Sequence, residues 1–383
     1  MSSKNFEIWG GLECTINRIR SCYNNQILLN GHFHRAADLD LFASLGIKKL
    51  RYPMLWEAVA PYSFDEMNWE WIDSRMKRIQ ELDITPIAGL LHHGSGPCYT
   101  SLLDPKFPQK LARYAALVAQ RYPWIEWYTP VNEPLTTARF SGLYGFWYPH
   151  HSNDRSMVRA LLNQIKGIVL SMQAIRTVNP QAKLIQTEDI GRALATASVQ
   201  YQADFENFRR WLTFDLLLGK VDRLHPAFQY LIKQGATRAE LAWLQINSFP
   251  IDILGINHYP LSNRFLDHRL ELYPERYHGG NGKDHYADVG AVDSGQVIPP
   301  APIDVYREVW ERYQRPIAVT EAHIGGPREA QMRWLQEIYL SAQRLRSDGA
   351  AIEAMTCWSL LGSYEWSSLC TTVNDHYESG IFD

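Results

Sequence analysis

The sequence predicts an α/β fold, a single (β/α)8 TIM barrel over residues 1–383, and three observations predict it. Short runs rich in β-branched and aromatic residues alternate with longer segments whose apolar residues recur at three and four, the pattern of strands alternating with amphipathic helices. Eight such runs can be traced, enough to close a ring of parallel strands. At 383 residues and 46% hydrophobic content, the chain exceeds an ordinary domain but suits one large barrel. An open doubly wound sheet is the competing architecture, because periodicity does not reveal closure. The absence of a Gly-rich phosphate-binding turn after the first run weakens it.

The first expected strand is FEIWGGL (6–12), followed by the helical stretch RAADLDLFASLG with Gly46 as its stop. KKLRYP (48–53) is the second strand, and WEWIDSRMKRIQELD the helix after it. TPIAGLL (85–91) is the third, followed by FPQKLARYAALVAQRYP, a helix that must end before Pro123. EWYTPV (126–131) leads into the long helix SMVRALLNQIKGIVLSMQAIRTVNP. AKLIQTE (182–188) precedes helical pieces at 200–218 and near 225–246. DILGINHY (252–259) is the sixth strand. After it, the segment 262–302 is rich in Gly, Asp, His and Pro and reads as an inserted loop without regular structure, of the kind that forms binding loops or lids. The helix IDVYREVWERYQ, the strand PIAVTE (316–321), the helix REAQMRWLQEIYLSAQRLRSDG and the strand AMTCWSLL (354–361) complete the alternation.

Composition excludes several classes of function. Lys and Arg number 38 against 41 Asp and Glu, a net charge of −3 without any basic block, so neither nucleic acid nor an anionic membrane surface is an expected partner. There is no 18-residue apolar run, and MSSKNFEIWGG does not read as a signal peptide, so a soluble cytoplasmic protein is expected. Five scattered cysteines without CxxC spacing argue for reduced thiols rather than a disulfide framework or structural zinc. An aromatic share of 12% offers flat faces of the sort that cover the apolar faces of sugar rings.

In a (β/α)8 barrel the chemistry gathers at the C-terminal ends of the strands. Two glutamates stand there: Glu133, in TPVNEPLTTARF after the fourth strand, and Glu321, which ends the seventh. Either one alone could cap a helix or pair with an arginine. Together, facing one cavity, they form the carboxyl pair that glycosidic bond cleavage needs.

The motifs NEP (132–134), GINHY (255–259), TE (320–321) and WSLLGSYEW (358–366) run through the chain in order. With them the chain resembles the family 1 glycoside hydrolases, β-glucosidase-like enzymes with their acids on strands four and seven. The resemblance implies a retaining β-glycosidase that works by double displacement, with a carbohydrate β-glycoside or oligosaccharide as substrate and no metal or organic cofactor. It makes Glu133 the general acid and base and Glu321 the nucleophile, supported by Arg51, Tyr259 and Asn132. It assigns substrate contacts to His93, Asn257, Trp358, Glu365, Trp366 and Asn17, with Glu13 as a second candidate on the first strand. A retaining enzyme would hold its two carboxyl groups about 5–5.5 Å apart.

Departures from the family pattern accompany these matches. Ala322 and His323 follow the nucleophile where Asn-Gly is usual, Gly94 and Ser95 stand in place of Trp-Asp, and Gly362 and Ser363 in place of Asp-Asn. They reshape the sugar subsite without removing a carboxylate. The chain stops at ESGIFD soon after strand eight, which reads as a shortened barrel or as a domain cut from a longer polypeptide with a further domain after Asp383. Two rival functions stay open. The pairs His32/His34 and His92/His93 suggest a metal-dependent hydrolase barrel, although the later strand ends offer an incomplete ligand set in Glu133, Glu188, His258, Glu321 and Ser363. The departures around Glu321 suggest a degenerate barrel that binds glycan, or serves as an interaction platform, without cleaving it.

Overall fold

In a strand, successive side chains point to opposite faces, so each expected strand must send one set of residues into a barrel and the other toward the helices. The computed structural model, which describes residues 5–382, realises this arrangement. Its barrel strands are β1 (Glu7–Gly11), β2 (Lys49–Pro53), β3 (Thr85–Gly89), β4 (Trp127–Thr129), β5 (Lys183–Asp189), β6 (Ile253–His258), β7 (Ile317–Ala322) and β8 (Ile352–Cys357). They close in the order β1-β8-β7-β6-β5-β4-β3-β2. Closure is made by β1, which pairs in parallel with β8 (Trp9 opposite Thr356) and with β2 (Gly11 opposite Arg51). Every run expected as a strand enters the barrel.

The helices pack outside. They include α1 (Asp38–Ser44), α2 (Glu70–Glu81), α3 (Phe107–Arg121), α4 (Asp154–Val178), α5 (Gln200–Arg209), α6 (Leu212–Leu217), α7 (Phe228–Lys233), α8 (Arg238–Ile246), α9 (Pro302–Tyr313) and α10 (Arg328–Ser347). The layer between strands and helices is the main core, built on buried side chains such as Phe42, Tyr52, Trp56, Tyr114, Leu161 and Val309. Inside the barrel a second cluster, Trp9, Ile87, Ile185, Ile253, Ala318 and Ala354, plugs the N-terminal half. Toward the C-terminal ends the interior turns polar, with Arg51, Thr187, Asn257 and Thr320 all buried. An apolar floor beneath a polar layer is the condition for a site that is dry yet able to hold charge.

The segment 262–302 is not the structureless loop expected. Arg264–Asp267, His278–Gly280 and His285–Gly290 join Ala193–Ala195 in a four-stranded sheet beside the barrel, in the order 278–280, 285–290, 264–267, 193–195. Its two faces alternate: Leu266 and Tyr286 pack with Ala193 and Ala203, while Phe265, Ala287 and Val289 pack together on the other side. These strands are three to six residues long and separated by Gly-rich and charged turns, so their period of two is hidden within a polar composition.

After β8 the chain folds back over the barrel mouth, with Ser363–Tyr364 pairing with Tyr377–Glu378 and Leu361 bridging to Phe382. Among the described residues no helix is long and apolar enough to cross a membrane. The expectations about the extreme N-terminus and about a domain after Asp383 lie outside the described residues.

Candidate active site

Pro134 has no N–H to donate and therefore suits the first turn of a helix, here the short helix Pro134–Ala138. The chain must turn sharply from β4 into that helix, and Glu133 makes the turn as its N-cap, with φ 44° and ψ 64° in the left-handed region. A non-glycine residue held there costs on the order of 1–3 kcal/mol, a strain that the surroundings must enforce. Glu188, at the end of β5, supplies part of that enforcement. Its carboxylate accepts from the N–H groups of Leu135 and Thr136 and from the hydroxyls of Thr136 and Thr213, fixing the helix start that aims Glu133. The result is a Glu133 carboxyl that is 4% exposed, accepts from Asn257 Nδ2 at 2.6 Å and lies 3.8 Å from His93 Nε2.

Glu321 lies near the end of β7, where the register against β6 shifts between Val319 and Glu321. Its two oxygens have different partners: Arg51 Nη1 donates to Oε1 at 2.9 Å and the Tyr259 hydroxyl donates to Oε2 at 2.5 Å. Arg51 also donates to the Thr320 carbonyl at 2.6 Å and to Asn132 Oδ1 at 2.9 Å, so one guanidinium ties β2, β7 and the β4 turn together. Asn132 Oδ1 accepts further from Thr187 Oγ1 at 2.7 Å and Asn257 Nδ2 at 3.3 Å. Asn257 Oδ1 in turn accepts from Thr320 Oγ1 at 2.7 Å. Glu133, Asn257, Asn132, Arg51 and Glu321 therefore form one continuous network across the barrel mouth.

The same residue type meets opposite fields at the two positions. Burial, then the nearby charges of Glu321, Asp189 and Glu188, raise the Glu133 carboxyl well above the usual carboxylate range. Burial raises Glu321 as well, but the Arg51 guanidinium and the Tyr259 hydroxyl oppose it. Burial thus acts on both carboxyls, but only Glu321 has a cation set against it. Glu188 is pushed up to about 7 by burial, against the hydrogen bonds it accepts. His93, lowered to about 3 by burial and by Arg51, is a neutral imidazole that can share a hydrogen bond without adding charge.

Rings and charged groups gather around Trp358, expected from the sequence as a sugar platform. His92 stacks on its ring at 5.3 Å, Arg51 sits 4.6 Å over it, and a Cβ at Gly11 would come 2.4 Å from its ring edge, so only glycine leaves room for the indole. Glu13 lies beside it, accepting from Trp358 Nε1 at 3.3 Å and from the Thr15 N–H, with burial raising its carboxyl to about 7. His93 contacts the rings of Trp147 and Trp366 at 5.3 and 5.7 Å. Trp366 Nε1 is buried with no protein acceptor among the described residues.

Asn17 and Glu365 stand at the mouth but are engaged by the returning chain. Asn17 Nδ2 donates to the Cys370 carbonyl at 3.2 Å, and the Glu365 carboxylate accepts the N–H groups of Asn374 and Asp375, both at 2.8 Å. His323 lies 3.4 Å from Glu378 on that same segment. The departure at Gly94 has a steric cause: a Cβ there would stand 1.9 Å from Glu57 Oε1, so this buried acid fills the space beside the turn.

Of the candidate ligands of the metal-hydrolase rival, His92, His93, Glu133 and Glu321 stand at the mouth, whereas His32, His34 and His258 do not reach it. His32 lies outside the barrel wall, its ring nitrogens 2.9 Å from Asp38 and 2.8 Å from the Tyr52 hydroxyl, and His34 is exposed. His258 points outward against Tyr306 and Trp334. Among the described residues no three His, Cys, Asp or Glu side chains converge in a metal-binding arrangement. Sequence reasoning missed Trp147 and Asp189. The run RFSGLYGFWYP, dense in aromatics just after Glu133, was the signal for the first, and the paired acids of QTED for the second.

A parallel eight-stranded barrel with two buried glutamates joined through an arginine and two asparagines at its C-terminal mouth is the architecture of a glycoside hydrolase. The chain belongs to glycosyl hydrolase family 1, whose family profile matches residues 3–373. It is 21% identical to a coniferin β-glucosidase of Pinus contorta, over 94% of this chain and 80% of that one. It is 23% identical to β-glucosidase A of Acetivibrio thermocellus, over 95% and 85% of the two chains. Among solved structures, the family 1 β-glucosidase of Thermotoga maritima superposes with a TM-score of 0.78 at 14% identity, covering 98% of this chain and 92% of that one. The same enzyme in complex with deoxynojirimycin gives 0.76 at 15% identity, over 98% and 92%.

Proposed function

We propose that this chain is a retaining β-glycosidase that hydrolyses a β-linked glycoside by double displacement. Glu321, kept ionised beside Arg51 and Tyr259, attacks the anomeric carbon, while Glu133 gives its proton to the departing oxygen. A glycosyl ester forms on Glu321 as the glycosidic bond breaks. Glu133, now a carboxylate, then takes a proton from water, whose oxygen attacks the same carbon, displaces Glu321 and releases the sugar with its configuration retained.

The observation that carries this reading is the split environment of the two glutamates: one among carboxyls and an amide, the other against a cation and a phenol. Asn132, within reach of both halves, suits a hydrogen bond to the sugar 2-hydroxyl that strengthens in the transition state. Trp358, Trp366 and His93 suit the glycon itself. The β-glucosidase relatives, and the complex of the Thermotoga maritima β-glucosidase with deoxynojirimycin, support a carbohydrate substrate.

The test is a panel of fluorogenic aryl β-glycosides, with the first-formed anomer read by NMR and the nucleophile trapped by a 2-deoxy-2-fluoro glycoside. Turnover, a β-anomer first and a label on the peptide holding Glu321 are expected. Binding without product across the whole panel would replace the enzyme with the glycan-binding barrel. A cytoplasmic location stays part of the proposal, and cell fractionation tests it.

A further inference from the structure

The two glutamates divide the ring of strands unequally. Going round the barrel, β4 and β7 are separated by β5 and β6 on one side and by β3, β2, β1 and β8 on the other. Of the sugar contacts expected from the sequence, His93, Asn17, Trp358, Glu365 and Trp366 follow strands of the longer arc. Only Asn257 lies on the shorter one, where its amide is spent on Glu133 and Asn132. A sugar held by the longer arc sends its leaving group toward the shorter arc, and a general acid faces the leaving group.

What the shorter arc presents is set by the alternation of β5. Ile185 belongs to the cluster inside the barrel and Thr187 donates to Asn132 at 2.7 Å, so Asp189 points into the mouth, whereas Glu188 between them points out to the helix start at Leu135. Asp189 is paired in register with Asn257, whose amide donates to Glu133 at 2.6 Å. Close packing fixes the turn that follows: a Cβ at Gly191 would stand 1.8 Å from the Ser262 carbonyl, and the Gly191 N–H donates to Asp189 Oδ1 at 3.1 Å. Beyond this turn β5 and β6 both lead into the four-stranded sheet beside the barrel, where 193–195 and 264–267 run parallel.

Asp189 is half-buried and forms no ion pair among the described residues; the Ser262 hydroxyl and, from further off, Arg139 and Arg264 favour its charge. A carboxylate accepts at about four positions, so the Gly191 N–H and the Ser262 hydroxyl leave it acceptor capacity at the mouth. We propose that Asp189 selects the leaving group: it accepts from a hydroxyl or ammonium carried on the departing portion of the substrate and turns away a carboxylate or phosphate there. This rests on the glycosidase reading.

The test is kcat/KM for four β-glycosides of one sugar, with phenyl, meta-hydroxymethylphenyl, meta-aminomethylphenyl and meta-carboxyphenyl leaving groups. Ratios within each enzyme are read, because a change in Glu133 alone moves all four rates together. In the wild-type chain the aminomethyl and hydroxymethyl compounds should exceed phenyl about three-fold or more, and the carboxy compound should fall about ten-fold below it. Asp189→Asn, which keeps an acceptor for the Gly191 N–H, should shrink the aminomethyl-to-carboxy ratio about ten-fold or more, and Asp189→Ser should do the same. Wild-type ratios near one overturn the proposal without any variant. Ratios preserved in both variants, even with all four rates lowered, also overturn it and make Asp189 a support for Glu133. Turnover without discrimination sinks the role of Asp189 alone, whereas no turnover of any compound sinks the glycosidase reading and this inference with it.

Discussion

The two walls of the barrel mouth carry the same side chain and treat it differently. On the β7 side Glu321 meets a guanidinium and a phenol, one on each oxygen. On the β4 side Glu133 meets an amide donor, with the carboxyls of Glu188 and Asp189 behind it. The contrast teaches that the proposed division into acid and nucleophile resides in the neighbours, since chemically identical groups are separated only by what faces them.

Removing the proposed nucleophile should break the contrast most completely. Glu321→Ala is expected to lose on the order of 10⁴-fold or more in kcat, with azide partly restoring turnover and giving a glycosyl azide of inverted configuration. A product of retained configuration would assign the attack to another group. Glu133→Gln comes next: a loss of about 10²–10⁴-fold, smaller for aryl leaving groups that need no proton, is expected. Because the raised carboxyl of Glu133 must be protonated to act as acid, the alkaline limb of the kcat/KM profile belongs to it and should vanish in this variant.

A finer probe shifts the balance instead of breaking it. Tyr259→Phe removes a hydrogen bond that favours the Glu321 carboxylate, so the acidic limb should move to higher pH with a loss of about 10–10²-fold. An acidic limb that stayed in place would detach Tyr259 from the titration of Glu321.

The smallest expected effect concerns stability. Glu57 is buried, holds the Gly96 N–H at 3.1 Å and is pushed up to about 8 by burial. Its folded-state value exceeds its ordinary 4.5, so between these limits the folded chain binds more protons than the unfolded one and stability falls as pH rises. Glu57→Gln should flatten that slope and narrow the difference between pH 5 and pH 8 by about 1–3 kcal/mol, as measured by denaturant melts at the two pH values.

The sequence by itself determined the alternation of strands and helices, and its eight runs favoured a barrel over an open sheet, whereas closure itself is a tertiary fact. Eight apolar runs and the helical periods between them are local patterns, and burying both faces of each element leaves few arrangements. It also singled out Glu133 and Glu321, because an acid at the end of an apolar strand has few local uses. Local patterns were too weak to reveal the sheet formed by 193–195 and 264–290, whose short strands are stabilised by partners remote in sequence. Only the tertiary structure decided the electrostatics: that Arg51 spans three strands, that Glu188 anchors the turn at Glu133, and that Asn17 and Glu365 hold the returning chain. The physical reason is range. Hydrophobic periodicity is written within ten residues, whereas the field on a buried carboxyl is summed over neighbours that closure of the barrel brings from all along the chain.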